Sequence, residues 1–365
     1  MARFKKLEDF KAKHDPNTVI AGLRAELEEA RKDSADGAAI KEIIGTITKD
    51  IEHATPPKWT LSPPKDSGSP GVPTLFLSDL HWGERVFPAQ INGVNEFNLD
   101  IARRRLKYTV DTAVSLLRIL DREMRYPGIV VPLGGDMISG NLHDELKATN
   151  QINSMPSVMD LWGHLETGLL HLADTFGAVF VPCVSGNHGR DTHKTWAKDR
   201  HHTSFDWLLY RILAKRFDND PRFTFFVPDG IDALFKIYDV RYLLTHGDNL
   251  GRGGDGIIGH IGNVMRGDSK KRSRNAQIDM SYDVMLHGHY HTYSHATRVI
   301  GNGSLKGLDE FAFVNNFGFE RPQQAMWITH IRNGITYRMP VFCDPAPKAG
   351  TPKWISYVAD QTAKI

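Results

Sequence analysis

Apolar residues recur along the chain at two different spacings, and the change from one to the other divides it. Ile20, Leu23, Leu27 and Ala30, then Ile40, Ile44, Ile47 and Ile51, follow one another at helical steps with charges between them, and Ser34-Ala35-Asp36-Gly37 interrupts the series. The pattern predicts a two-helix hairpin over residues 17–53, within an N-terminal segment spanning 1–54. Two amphipathic helices enclose no core of their own, so the pair must dock on the main body, on a second copy in a homodimer, or on another protein. Thr55 to Pro73 contains Pro56, Pro57, Pro63, Pro64, Pro70 and Pro73 with Gly and Ser, and reads as a stiff extended linker over 55–73.

From Thr74 short apolar runs alternate with longer helical ones. Thr74–Leu77, Ile129–Leu133 and Val179–Val184 read as strands, separated by helices around Leu99–Glu123 and Val158–Phe176, which implies βαβ units around a buried sheet. After a helical stretch near Phe205–Phe217 strands dominate: Phe223–Val227, Leu234–Tyr238, Tyr242–Thr245, Val284–Leu286, Phe311–Val314, Met326–Ile331 and Ile335–Val341. These predict a second sheet packed on the first. The expected class is α/β, with a main domain over 74–342 and a Pro-rich C-terminal tail over 343–365.

Composition narrows the function more than the fold. The 365 residues include 45 Lys+Arg against 43 Asp+Glu, a formal charge of +2. A globally basic coat is excluded, so a polyanionic partner would have to be held by a local patch. Cys183 and Cys343 are far apart, which suits a reducing compartment, and Cys183 lies in an apolar run that predicts a buried thiol. The charged N-terminal stretch is followed by no apolar segment, and nowhere do 18 apolar residues run together. Neither a membrane span nor secretion is expected, and the cytoplasm is the expected location.

Five short segments hold a dense set of metal-competent residues, four of them directly after an apolar run: Ser78-Asp79-Leu80-His81, Gly134-Gly135-Asp136, Ser185-Gly186-Asn187-His188, Thr245-His246-Gly247-Asp248 and His287-Gly288-His289-Tyr290-His291. Side chains on strand ends are fixed by rigid scaffold, as a preorganised metal site requires. Two carboxylates, an amide oxygen and several imidazoles suit Mn²⁺, Fe²⁺, Zn²⁺ or Ni²⁺ better than Ca²⁺, with Mn²⁺ the expected ion, and no thiolate is placed to select zinc alone. Seven candidate ligands are too many for one ion. Two ions sharing a carboxylate, about 3.5–4 Å apart, form a clamp for in-line displacement at phosphorus.

This series of motifs resembles the calcineurin-like metallophosphoesterases over about residues 74–342. The resemblance implies a four-layer α/β/β/α sandwich and a ligand set in which Asp79, His81 and His291 hold one metal, Asn187, His246 and His289 the other, and Asp136 bridges them. It assigns His188 as the acid that stabilises the transition state and protonates the leaving alkoxide, while the water between two cations attacks phosphorus. In one respect the sequence departs from the family, which usually has Asp or Glu directly after Gly-Asn-His. Here Gly189 stands in that place, followed by Arg190 and Asp191, and Asp191 is the available substitute for orienting His188.

Other signals bear on the substrate. His287 is expected to turn away from the ligands, and Asp248 either orients an imidazole or caps a turn. The run Gly251-Arg252-Gly253-Gly254-Asp255-Gly256 with Gly259 and Asp279 matches a dinucleotide fingerprint. It lies inside the metal series and not at a first βα turn, so it reads as a loop leading into a helix, whose amides could meet a phosphate. Arg190 and Lys194, with Lys198 and Arg200, form one basic run, and Arg266, Lys270, Lys271, Arg272 and Arg274 form another. Both adjoin ligand blocks and suggest a groove tracking a phosphate backbone, with Trp82, Tyr290 and Tyr293 available to stack bases. The favoured expectation is a DNA-directed phosphodiesterase like the DNA-repair exonuclease branch, including versions carried by bacteriophages. The alternatives are a phosphomonoesterase or small-molecule phosphodiesterase acting on phosphoprotein or a nucleotide, and a non-catalytic scaffold.

Overall fold

The computed structural model describes residues 55–63, 71–120, 126–251 and 260–345. They belong to one compact unit, His53–Ile365. The predicted hairpin over 17–53 and the tail beyond residue 345 lie outside the described residues. In chain order the elements are α1 (Lys58–Leu61), β1 (Gly71–Phe76), α2 (Leu99–Leu120), β2 (Ile129–Val130), α3 (Asp144–Thr149), α4 (Ser154–Phe176), β3 (Val179–Pro182), α5 (Phe205–Arg216) and β4 (Phe223–Phe226). There follow β5 (Asp232–Ile237), β6 (Val240–Thr245), α6 (His260–Ala276), β7 (Val284–His287), β8 (Ser294–His295), β9 (Val299–Gly301), α7 (Glu310–Val314), β10 (Gln323–His330) and β11 (Gly334–Phe342).

Among the described residues the strands form two sheets. One is six-stranded in the order β11-β10-β1-β2-β3-β4, and the other five-stranded in the order β5-β6-β7-β9-β8. In the first, β1 to β4 run parallel and β10 and β11 antiparallel. In the second, β6, β7 and β9 run parallel between antiparallel edges. Val72, Phe76, Val130, Phe180 and Trp327 of the first sheet meet Phe235, Tyr242, Leu244, Leu286 and Ile300 of the second in one buried cluster, so the sheets pack face to face. On the outer face of the first lie α2, burying Leu106, Val110, Ala113 and Leu117, and α4, burying Leu161, Leu165, Leu169 and Leu172, each at helical spacing. The outer face of the second is covered by α6, where Val264 packs with Leu243, Met285 and Val299. The result is a four-layer α/β/β/α sandwich, the fold class expected from the motifs.

Three local readings change. Strand β1 begins at Gly71, pairing Val72 with Thr329, ahead of the expected Thr74. Part of the Pro-rich stretch is folded onto the body instead of extended: Trp59 packs against the core, and Tyr238 N–H donates to Thr60 O at 2.7 Å. The apolar run Phe311–Val314 reads as a strand but forms the single turn α7, because Asp309 accepts from Ala312 N–H at 2.7 Å and caps it. No helix among the described residues is long and apolar enough to cross a membrane.

His295 on β8 gives the fold a pH dependence. Its ring lies 6.2 Å from that of Trp327, and neither ring nitrogen has a hydrogen-bond partner among the described residues. Burial, with Arg338 nearby, pushes its pKa from 6.5 down to about 4. Below pH 6.5 the unfolded chain takes up a proton that the folded chain refuses, so this contribution to stability is complete above pH 6.5 and is lost as the pH falls toward 4. Denaturant titrations across that range should show a loss of about 2 kcal/mol, allowing for the ring's residual exposure, and His295→Gln should flatten it.

Candidate metal centre

The ligand blocks sit where parallel strands end. Asp79 and His81 follow β1, Asp136 follows the extension of β2, Asn187 and His188 follow β3, His246 follows β6, and His289 and His291 follow β7. The loops are stitched to one another by main-chain bonds. Asp79 N–H donates to Gly135 O at 3.0 Å, His81 N–H to Asp136 O at 3.1 Å, and Gly288 N–H to His246 O at 2.8 Å. The carboxylates join the stitching: Asp79 Oδ1 accepts from His289 N–H at 2.9 Å, and Asp136 Oδ1 accepts from His188 N–H at 2.7 Å. Two glycines make room for this, since a Cβ on Gly186 would lie 2.1 Å from Asp136 Oδ1 and one on Gly288 would lie 2.1 Å from Asp79 Oδ2.

The expected ligands converge in two groups with a link between them. Asp79, His81 and His291 bring ligand atoms within 4.8 Å of one another, as do Asp136, His246 and His289, and a third group, His81, Asp136 and His188, connects them. Asn187 completes the second group, its Oδ1 lying 3.1 Å from His246 Nε2, which is also 3.0 Å from Asp136 Oδ2. His246 Nδ1–H donates to Gly134 O at 2.9 Å, which leaves Nε2 as the atom facing those two oxygens. Across the site His81 Nε2 and His291 Nε2 stand 2.9 Å apart.

These donors fit divalent cations. Burial first, and then the Lys306 charge, push His81 down to about 4; burial and then the His246 charge push His289 down to about 4. Both are therefore neutral ligands at neutral pH. Burial alone would lower His246, but the Asp136 carboxylate overrides it and raises His246 to about 10. Asp136 itself is held well below the usual carboxylate range by His246 and His188, against the desolvation that would raise it. A positive charge is thus required where Asp136, Asn187 and His246 meet. A proton on His246 meets the need without a metal, and a bound cation meets it with one.

Residues with no motif to announce them complete the site. Glu84 Oε2 lies 3.2 Å from His81 Nδ1, and Lys306 Nζ donates to Glu84 at 2.8 Å and to Asp309 at 2.5 Å. This buried chain places a carboxylate against the outer nitrogen of the imidazole, the position used in carboxylate–histidine–metal arrangements. Ser78 Oγ donates to Asp79 and receives a bond from Asn302, while Gln324 accepts from Ser78 N–H at 2.9 Å. The only signal in the sequence was the His81-x-x-Glu84 spacing.

His188 Nδ1–H donates to Ser139 O at 3.0 Å, so a main-chain carbonyl orients this ring. Gly189 also has a physical reason: a Cβ there would lie 2.7 Å from Asp206 Oδ1. Asp206, fully buried, accepts from Asp136, Met137 and Gly186 N–H at 2.9, 3.2 and 2.9 Å and locks two ligand loops together. Burial, with Asp136 nearby, raises its pKa to about 6.

A cavity of about 1020 Å³ opens over Asp136, Asn187, His188, His289 and His291. Arg190 lines it, although its guanidinium donates to Asn187, Thr192 and His193 carbonyls and so also braces the loop. The other expected phosphate contacts are elsewhere. Lys194, Arg266 and Lys270 are exposed and do not line the cavity. Arg272 binds Asp268 at 2.7 Å and sits over the Tyr282 ring, while Lys271 and Arg274 hold Asp232, so this run fastens α6 to its sheet. Trp82 is fully buried, with Nε1–H on Asp160 at 2.7 Å, and Tyr293 does not line the cavity, which leaves Tyr290 of the three expected stacking rings. His287 Nδ1 turns to Gly288 O at 2.9 Å, and Asp248 pairs with Arg200 at 2.9 Å. Most of the fingerprint-like glycine run, 252–259, lies outside the described residues.

No family model and no curated protein sequence matches the chain. Among solved structures it is similar to a conserved protein of Streptococcus pneumoniae described as a predicted phosphoesterase, at 9% identity and TM-score 0.27, over 74% of this chain and 98% of that one. It is also similar to Vacuolar Protein Sorting 29 from Cryptosporidium parvum, at 12% identity and TM-score 0.28, over 74% and 96%. A third is a single-mutant form of Vps29 from Entamoeba histolytica, at 14% identity and TM-score 0.27, over 73% and 98%.

The lock formed by Asp206 should be measurable apart from activity. Asp206→Ala leaves three buried N–H groups without their acceptor, and chemical denaturation should report a loss of about 3 kcal/mol. Gly189→Ala should cost about 1–3 kcal/mol by driving its Cβ against that carboxylate. The two losses should fall short of additivity in the double variant, since removing Asp206 removes the obstacle.

Proposed function

We propose that the chain is a dimetal phosphoesterase that hydrolyses phosphodiester bonds, with nucleic acid as its substrate. The observation that carries this reading is the pair of ligand groups, Asp79–His81–His291 and Asp136–His246–His289, brought together beside His188, with Asp136, His188, His289 and His291 opening onto one cavity. Two divalent ions in such a site supply Lewis acidity toward phosphoryl oxygens and acidify a water molecule.

The chain's own groups do the rest. Asp79, His81 and His291 would hold one ion, Asn187, His246 and His289 the other, and Asp136 would face both. Glu84 and Lys306 keep His81 from rotating. His188, with Nδ1–H engaged by Ser139 O, presents Nε2 to take up or deliver a proton at the leaving oxygen. A phosphodiester is favoured over a compact monoester by the size of the cavity, whose wall carries guanidiniums among acids that include Glu145, Glu310 and Glu320. Arg85 and Arg321 line it beside Arg190, and neither has an ion pair among the described residues. Their guanidiniums lie over Phe87 at 4.7 Å and Phe342 at 4.3 Å.

Mn²⁺-loaded protein should hydrolyse a bis-aryl phosphate and labelled DNA faster than a mono-aryl phosphate, and a chelator should stop all three. Dominance of the mono-aryl substrate would overturn the diesterase reading. Elemental analysis should find about two metal ions per chain, falling by at least one in Asp136→Asn together with loss of turnover. His188→Ala should slow DNA cleavage by about 10²–10⁴-fold and aryl ester cleavage by less, because an aryl leaving group needs little protonation.

A further inference from the structure

Beside the metal floor the cavity has an aromatic wall that catalysis does not explain. Phe311, Phe317 and Phe319 line it while remaining 69%, 58% and 60% exposed. A fold that can bury Trp82 and Trp327 completely has no packing reason to leave three phenyl rings in water at the rim of its polar site. Nor is the segment loosely attached. Glu310 accepts from Phe87 N–H at 2.6 Å, Asp309 caps α7, and Glu320 accepts from Tyr293 N–H at 2.9 Å, so the rings are presented from a backbone pinned at both ends. Phe311 and Phe317 meet edge to face at 5.9 Å. Glu310 and Glu320 accept from main-chain N–H groups and Asp309 from Lys306, while Glu145 and the Arg85 and Arg321 guanidiniums also line the cavity.

We propose that Phe311, Phe317 and Phe319 form a stacking platform for unpaired nucleobases, so that the substrate is a single strand or a melted strand end. The inference rests on the nuclease reading above. Phenyl rings and guanidiniums on one cavity wall match the base and the phosphate that every unit of a single strand presents. Paired bases inside a duplex offer no open face to such rings. The volume, at the upper limit for small-ligand pockets of about 300–1,000 Å³, suits more than one nucleotide.

The test uses Mn²⁺-loaded full-length enzyme at fixed salt, with a thymidine oligonucleotide, an abasic phosphodiester of the same length and a blunt duplex. The KM for the abasic chain should exceed that for the thymidine strand by about 5- to 150-fold, with kcat little changed. In Phe317→Ala/Phe319→Ala that ratio should shrink toward unity, Phe317→Trp should preserve it, and Phe317→Leu, apolar but unable to stack, should not. Equal KM for thymidine and abasic chains in the unaltered enzyme, an unchanged ratio in the double variant, full retention by Leu, or a blunt duplex bound as well as the single strand would each overturn the platform alone. Cleavage of no oligonucleotide, alongside turnover of the bis-aryl phosphate, would overturn the nuclease reading and the platform with it.

Discussion

A carboxylate taken out of water demands compensation worth several kcal/mol, and this protein gathers Asp79, Asp136 and Asp206, each 1% exposed or less, at the ends of its parallel strands. Each is compensated differently. Asp206 uses main-chain amides alone, Asp79 uses an amide and a hydroxyl, and Asp136 has an amide on one oxygen and His246 on the other. The arrangement leaves Asp206 with its pKa raised to about 6, first by burial and then by the Asp136 charge beside it. Only positive charge among Asp136, Asn187 and His246 reconciles the set. That requirement governs which loops meet and which side chains face inward.

Its consequence is written in the backbone. Asp79, His81, Asp136, His289 and His291 all adopt left-handed conformations, with φ of 54°, 47°, 51°, 69° and 53°. For residues other than glycine such conformations cost of order 1–3 kcal/mol each and persist where the surroundings over-determine them. Here the surroundings are the bonds from loop to loop and the close approaches that Gly186 and Gly288 permit. Left-handed backbone at five of the candidate ligands, held by neighbouring loops, is what a preorganised cation site requires: the side chains are aimed before any ion arrives.

The parts of this arrangement that were legible in the sequence are those written locally. An apolar run followed by Asp-x-His or Gly-Asn-His is a strand end with candidate ligands on it, and the structure brings side chains of all five blocks together. What could not be read depends on distance in sequence. Glu84, Lys306 and Asp309 form one buried chain from separate segments, and Asp206 reaches Gly186 and Asp136 from the start of a helix. None belongs to a motif, and each would pass in sequence for a solvated charge. The basic run on α6 misled for the converse reason, since proximity to a ligand block in sequence did not prevent Arg272 and Arg274 from spending their charge on Asp268 and Asp232. Phe311–Val314 has strand composition, but one capping carboxylate at Asp309 suffices to turn so short a run into a helical turn.

The same contrast separates the chemistry from its specificity. The floor is made by strand ends of both sheets, where a shift of one side chain would disturb several hydrogen-bonded loops at once. The wall is made by segments between elements: the turn after Trp82, the stretch leading into α3, and the residues from Ser304 to Arg321. They touch the floor through Ser304 Oγ and Leu305 N–H, which both donate to Asp79 O at 3.2 Å, through Lys306 to Glu84, through Ser139 O to His188, and through Arg190 to Asn187. Wall residues outside those contacts, the phenyl rings among them, can therefore change without moving the candidate ligands. The exposed phenyl rings belong to that part of the wall, whereas the Arg85 and Arg321 guanidiniums pack over Phe87 and Phe342.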